Sequence, residues 1–150
     1  MNVLKPVSTL MTKNIITVSP DDSLKEVKEI FDAKNIHHIP VVRYKKIVGM
    51  ISKSDFFNFL HGFTKSDYDK TLQKTRLTSW KAKDIMTEGL AKIDSKEPIR
   101  TALGLFKMNH FHALPIVDDE ELVGILTTFD IINAIANEPI NLEDYQLAKS

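Results

Sequence analysis

The chain superposes on itself. An ungapped offset of 75 residues carries Met11-Thr12 onto Met86-Thr87, Phe31 onto Phe106, Pro40 onto Pro115, Val42 onto Val117, Val48-Gly49 onto Val123-Gly124 and Asn58 onto Asn133. Apolar character is kept at most other pairs, such as Ile39 with Leu114, Val41 with Ile116 and Ile51 with Leu126. A period of this length marks a repeated supersecondary unit. The expected division is a first repeat over 1–62, a connector over 63–81, a second repeat over 82–137 and a tail over 138–150. A unit of roughly 60 residues is marginal alone. The two copies are therefore expected to pack sheet to sheet about a pseudo-twofold axis, which leaves two equivalent clefts.

Hydrophobic period gives the elements of each copy. Ile15-Ile16-Thr17-Val18 is short and β-branched and reads as a strand, and Leu24, Val27, Ile30 and Phe31 then recur at helical spacing. In the second copy Ile99, Ala102, Leu103 and Phe106 repeat that stripe, and Pro98 suits the first helical position. Two apolar runs around Arg43-Tyr44-Lys45-Lys46, and two more around Asp118-Asp119-Glu120-Glu121, read as hairpins. A last helix follows each, with Phe56, Phe57, Phe59 and Leu60 as one apolar face and Ile131, Ile132 and Ile135 as the other. The order is strand, helix, strand, strand, helix, an α+β class. The stretch from His61 to Lys83, with Leu72, Leu77 and Trp80 as its main large apolar residues, is expected to be a partly helical connector, and the end of the chain to be loosely held.

Composition narrows the function classes. Twenty Lys and Arg balance twenty Asp and Glu, so the basic excess that phosphate-backbone binding requires is missing and nucleic acid is not an expected partner. There is no cysteine, which removes disulfides and thiolate nucleophiles and suits a reducing compartment. No apolar run approaches the roughly 18 residues of a membrane span, and Met1 to Leu10 lacks the long apolar core of a secretion signal. A cytoplasmic protein without membrane insertion is expected.

The chemistry concentrates in one repeated motif. Gly49-Met50-Ile51-Ser52-Lys53-Ser54-Asp55 returns as Gly124-Ile125-Leu126-Thr127-Thr128-Phe129-Asp130. Ser52 to Asp55 and Thr127 to Asp130 fit the capping box that starts a helix without any ligand. The same placement also suits a nucleoside phosphate. A helix start offers free N–H donors and positive potential to phosphate, Ser52 or Thr127 adds a hydroxyl, and Asp55 or Asp130 can accept from a ribose diol. The glycine keeps a side chain out of the cleft. Lys53 could neutralise a phosphate in the first cleft, and His37 and its counterpart His112 are candidate phosphate contacts. A G-x-x-x-x-G-K-[ST] loop is absent.

These features together resemble the cystathionine-beta-synthase (CBS) domain, a family that occurs as tandem pairs. The resemblance covers nearly the whole chain. It includes Leu10-Met11-Thr12 and Ile85-Met86-Thr87, the Val18-Ser19-Pro20-Asp21 turn, and the segments His37-His38-Ile39-Pro40 and His112-Ala113-Leu114-Pro115. It implies a pair that senses adenine nucleotides or related adenosyl compounds. Asp55 and Asp130 would hold ribose, and Ser52 and Thr127 would contact phosphate or ribose. The first strand of each copy, Ile15, Ile16, Thr17 and Val18 with Leu90, Ala91, Lys92 and Ile93, would line the adenine pocket. Ser95 in place of Pro20 is a departure at the entrance of the second pocket.

Other chemistries are weaker. His37-His38 with His110 and His112 could offer imidazoles to one ion, but no cysteine accompanies them and no metal is expected. The recurring polar residues are duplicated symmetrically and none forms a Ser-His-Asp set, so binding is expected rather than catalysis, with no cofactor required. The ligand would be AMP, ADP, ATP, NAD or S-adenosylmethionine. Energy sensing, read by a separate effector protein or by the chain's own assembly, is the implied output. A ligand-free dimerisation module is the alternative. Leu24, Val27, Phe31, Phe56, Phe57 and Phe59 present more apolar surface than one small sheet should cover, so a homodimer is expected. A net charge of about +4 on residues 1–75 against about −4 on 76–150, greatest at the two hairpin tips, favours a head-to-tail arrangement.

Overall fold

A computed structural model describes residues 1–61, 68–108, 110–139 and 141. After a 3-10 turn at Val7–Thr9 come α1 (Leu24–Ala33), β1 (His38–Arg43), β2 (Lys46–Ser52), α2 (Lys53–His61), α3 (Tyr68–Ser79) and α4 (Ala82–Ile85). The second copy adds β3 (Ile93–Asp94), α5 (Ile99–Lys107), β4 (Ala113–Asp118), β5 (Glu121–Thr127) and α6 (Thr128–Ala136). No helix among the described residues is long and apolar enough to cross a membrane.

The strands form one sheet in the order β1-β2-β5-β4-β3. Each hairpin turns through two residues with positive φ, Tyr44 and Lys45 or Asp119 and Glu120, as a tight turn matched to strand twist demands. The two halves meet at the antiparallel pair Lys46 and Glu121, themselves repeat equivalents, so the pseudo-twofold axis passes through this point. Ile47, Met50 and Ile125 form a small buried cluster there.

The segments leading into each copy cross over. Val7 is buried in the core of the second repeat, and its equivalent Ala82 in that of the first. Matching backbone bonds hold them. Val7 N–H donates to Glu97 and Ser8 N–H to Ser95, while Ala82 N–H donates to Asp22 and Lys83 N–H to Pro20. Ser95 and Pro20 thus present the same carbonyl, so the departure between them leaves the backbone pairing intact. Lys83 also pairs with Asp21 at 2.9 Å. With Lys81 and Arg43 adding to it, this pair holds the Asp21 carboxyl below the usual range.

Several local expectations differ from the structure. The strand expected at Ile15–Val18 is reduced to one parallel bridge between Val18 and Val41, because only Val18 reaches the core. Its counterpart in the second copy is the two-residue β3, parallel to β4. Pro98 is the N-cap of α5 rather than its first helical residue, while Ser23 and Glu26 close a full capping box on α1. Leu24, Val27, Phe31 and Phe56 are all buried within the protomer, so they give no ground for a dimer. The connector explains the coverage, since Leu77 of α3 packs on that core and the Trp80 ring meets Phe59 at a tilt, with centroids 5.1 Å apart. Over α6 no described element plays that part. Ile131 is buried, but Phe129, Ile132 and Ile135 are 71%, 62% and 53% exposed. The expectation for the tail falls mostly outside the described residues.

Candidate functional site

Each copy of the motif folds as a strand that runs directly into a helix. Lys53 N–H at the start of α2 donates to the His37 carbonyl at 2.8 Å, and Thr128 N–H of α6 to the His112 carbonyl at 3.1 Å. Each helix start is thereby pinned to the segment that enters β1 or β4. Thr127 and Asp130 close a capping box. The Asp130 N–H donates to Thr127 Oγ at 3.2 Å, while one Asp130 oxygen accepts from Thr127 N–H at 2.7 Å and from its hydroxyl at 2.6 Å. In the first copy only half of this forms. Asp55 N–H donates to Ser52 Oγ at 3.1 Å, and among the described residues the exposed Asp55 carboxylate accepts nothing.

The motif glycines answer to packing between repeats. A Cβ at Gly49 would stand 2.4 Å from Met86 Sδ and 2.9 Å from Met86 Cβ, and one at Gly124 would stand 2.4 Å from Met11 Sδ. These methionines are the repeated residues of the lead-in segments. The adjoining bridges, Met50 with Thr87 and Thr12 with Ile125, stitch each lead-in to the opposite hairpin. Met11, Met86, Gly49 and Gly124 therefore form two equivalent joints.

Each joint opens into a cleft built from both repeats. The first, about 740 Å3, sets Ser52, Lys53, Ser54 and Asp55 against Thr87 to Leu90 and His110 to Ala113 of the second copy, with Phe57 and Asn58 on one wall. The second, about 500 Å3, sets Thr127, Thr128, Phe129 and Asp130 against Thr12 and the stretch from Asn35 to His38. His37, His38 and His112 line both. Burial, with His37 and His112 adding to it, holds the His38 imidazole below its usual value, while Asp55 pulls it upward.

The structure thus brings His37, Ser52, Lys53, Asp55, Leu90 and His112 together in one cleft and His37, His112, Thr127 and Asp130 in the other. Ile15 and Thr17 line a separate hollow of about 280 Å3 beside Lys13 and Lys45. Val18 and Ile93 belong to the repeat cores, and Lys92 reaches Glu120 at 3.4 Å. Ile16 and Ala91 line none of these hollows. Sequence reasoning missed Thr12, Thr87 and His38 as wall residues. The repeated Met-Thr pair was the available signal, but the crossing that brings each threonine to the far hairpin is long-range. Among the described residues no three His, Asp or Glu side chains are grouped to hold a metal ion.

Fold and site define a class: a tandem α+β repeat pair with two ligand-sized clefts between its halves. The CBS domain model matches residues 7–62 and 82–137, and the chain belongs to the CBS-domain family. It is 36% identical over 136 residues to the inosine-5'-monophosphate dehydrogenase of Methanocaldococcus jannaschii, a match that covers 88% of this chain but 24% of that enzyme. The chain therefore spans only a minor part of that curated relative. Among solved structures, the CBS domain pair of protein MJ0100, in complex with 5'-methylthioadenosine and S-adenosyl-L-methionine, is 25% identical. The match has a TM-score of 0.70 and covers 91% of this chain and 99% of that one. CBSX2 in complex with AMP shares the fold at 23% identity and a TM-score of 0.74, over 91% and 99% of the two chains.

Proposed function

We propose that the chain is a non-catalytic regulatory module that binds an adenine nucleotide or another adenosyl compound in the clefts between its repeats. The carrying observation is that a carboxylate and a hydroxyl stand at a helix start in each cleft, facing walls supplied by the other repeat. A ligand there touches both halves, so its binding free energy can favour one relative orientation of them. That shift would be read by a separate effector protein or by the chain's own assembly. The adenosyl ligands of the MJ0100 pair, at 25% identity, support the ligand class. The lack of cysteine fits the reducing cytoplasm. The exposed stripe of Phe129, Ile132 and Ile135 on α6 favours a homodimer, which light scattering of wild type and Ile132→Lys would test. The opposite charges of the two hairpin tips support a head-to-tail arrangement of such a dimer, which a head-to-head crosslink between two copies of the first repeat would overturn.

The test is a set of melting curves with AMP, ADP, ATP, NAD, S-adenosylmethionine or 5'-methylthioadenosine for wild type, Asp55→Ala and Asp130→Ala. Ligand at 100 times its dissociation constant adds about 2.7 kcal/mol for one site, or roughly 5–11 °C. Each alanine variant is expected to lose the response of its own cleft. Without ligand, Asp130→Ala breaks a capping box and costs about 0.5–2 kcal/mol, whereas Asp55→Ala removes a carboxylate that accepts no bond among the described residues. If no ligand shifts the wild-type curve, the ligand-free interaction module is the correct reading.

A further inference from the structure

The pseudo-twofold axis relates two clefts that agree at the ribose-facing positions and differ beside them. α2 opens with Lys53-Ser54 where α6 opens with Thr128-Phe129, and β1 begins at His38 where β4 begins at Ala113. Among the described residues Lys53 is the sole lysine or arginine on the walls of the Asp55 cleft, and four of the chain's five histidines accompany it there. Glu88, on the facing lead-in segment, is exposed. Among the described residues the Asp130 cleft has no lysine or arginine on its walls. Asp130 is its one carboxylate, and Ile36, Ile125 and Phe129 make much of the surface apolar.

Resting on the adenosyl reading above, we propose that the two clefts take different ligand classes: the Asp55 cleft a nucleoside 5'-phosphate, and the Asp130 cleft an adenosyl group whose 5' substituent is uncharged. A phosphate between Ser54 and Lys53 meets a cation and hydroxyl donors. The same group beside Thr128 and Phe129 would meet one hydroxyl and an apolar ring, with no lysine or arginine among the described residues to balance its charge. The carboxylates point the same way. Among the described residues the Asp55 carboxylate accepts nothing and can take both hydroxyls of a ribose, whereas one oxygen of Asp130 already serves two donors from Thr127. His37, His38 and His112 border both clefts, so the discrimination falls to Lys53, Ser54 and Phe129.

Calorimetric titration of the full chain with AMP and with 5'-methylthioadenosine tests this. The expected result is one AMP per chain, lost in Asp55→Ala and kept in Asp130→Ala, with 5'-methylthioadenosine still binding when AMP is saturating. Lys53→Thr should weaken AMP by about tenfold or more and leave 5'-methylthioadenosine unchanged. Thr128→Lys, which does not depend on that loss, should create a second AMP site. Two AMP molecules of equal affinity per chain, or a Lys53→Thr loss shared equally by both ligands, overturns the inequivalence while leaving the sensor reading in place. Binding of neither ligand overturns both.

Discussion

His38 stands between two other imidazoles and a carboxylate, half-buried at the seam of the clefts. Burial first, then His37 and His112, hold its pKa below 6.5, against the pull of Asp55. Well above pH 6.5 neither the folded nor the unfolded chain protonates this residue. As pH falls through that value, the unfolded chain takes a proton that the folded site resists, so stability is lost. Melting temperature should therefore decline between pH 7 and pH 5 by less in His38→Gln than in wild type. Equal declines would show that His38 is not the group responsible. A phosphate bound beside it would act in the opposite sense, since it would favour the protonated imidazole.

At the scale of elements, the joint between a lead-in segment and the opposite hairpin governs the site. The glycine looked like a clearance for ligand when read from the motif alone, yet the atoms that exclude a side chain at Gly49 belong to Met86. Gly49→Ala should lower stability by about 1–3 kcal/mol through overpacking. Combining it with Met86→Ala should cost less than the sum of the single changes, because the second substitution removes the clash. Strict additivity in denaturant melts would mean that something other than this contact excludes the Cβ. Helix starts were legible because Ser23, Ser52 and Thr127 each stand three residues before a carboxylate. The first strand was legible in composition but not in extent, since pairing at Val18 stops where the side chains leave the core.

Across the whole molecule the two repeats are interlocked rather than stacked. Val7 completes the core of the second repeat, and Ala82 that of the first. Val7→Ala should therefore destabilise the full chain by about 1–3 kcal/mol, as a core residue does. A chain starting at residue 82 should lack a cooperative melt when followed by circular dichroism, because it carries its own sheet but not the segment that seals it. A sharp melt from that chain would show that the crossing is dispensable. Under the proposed function the same interlocking would let a cleft report on orientation, since each of its two walls is tied to a different core.

The sequence by itself determined the repeat, the order of helices and hairpins, and a carboxylate and hydroxyl at two helix starts. All of these follow from local periodicity and from donors within three residues of their acceptors. The tertiary structure decided which lead-in crosses to which core, what lies against Gly49 and Gly124, that α3 and Trp80 cover α2, and which aspartate closes a capping box. Those depend on partners far apart in the chain. A hydrophobic period shows that a face will be buried, but only packing selects the element that covers it, and two copies of one motif diverge wherever their long-range neighbours differ.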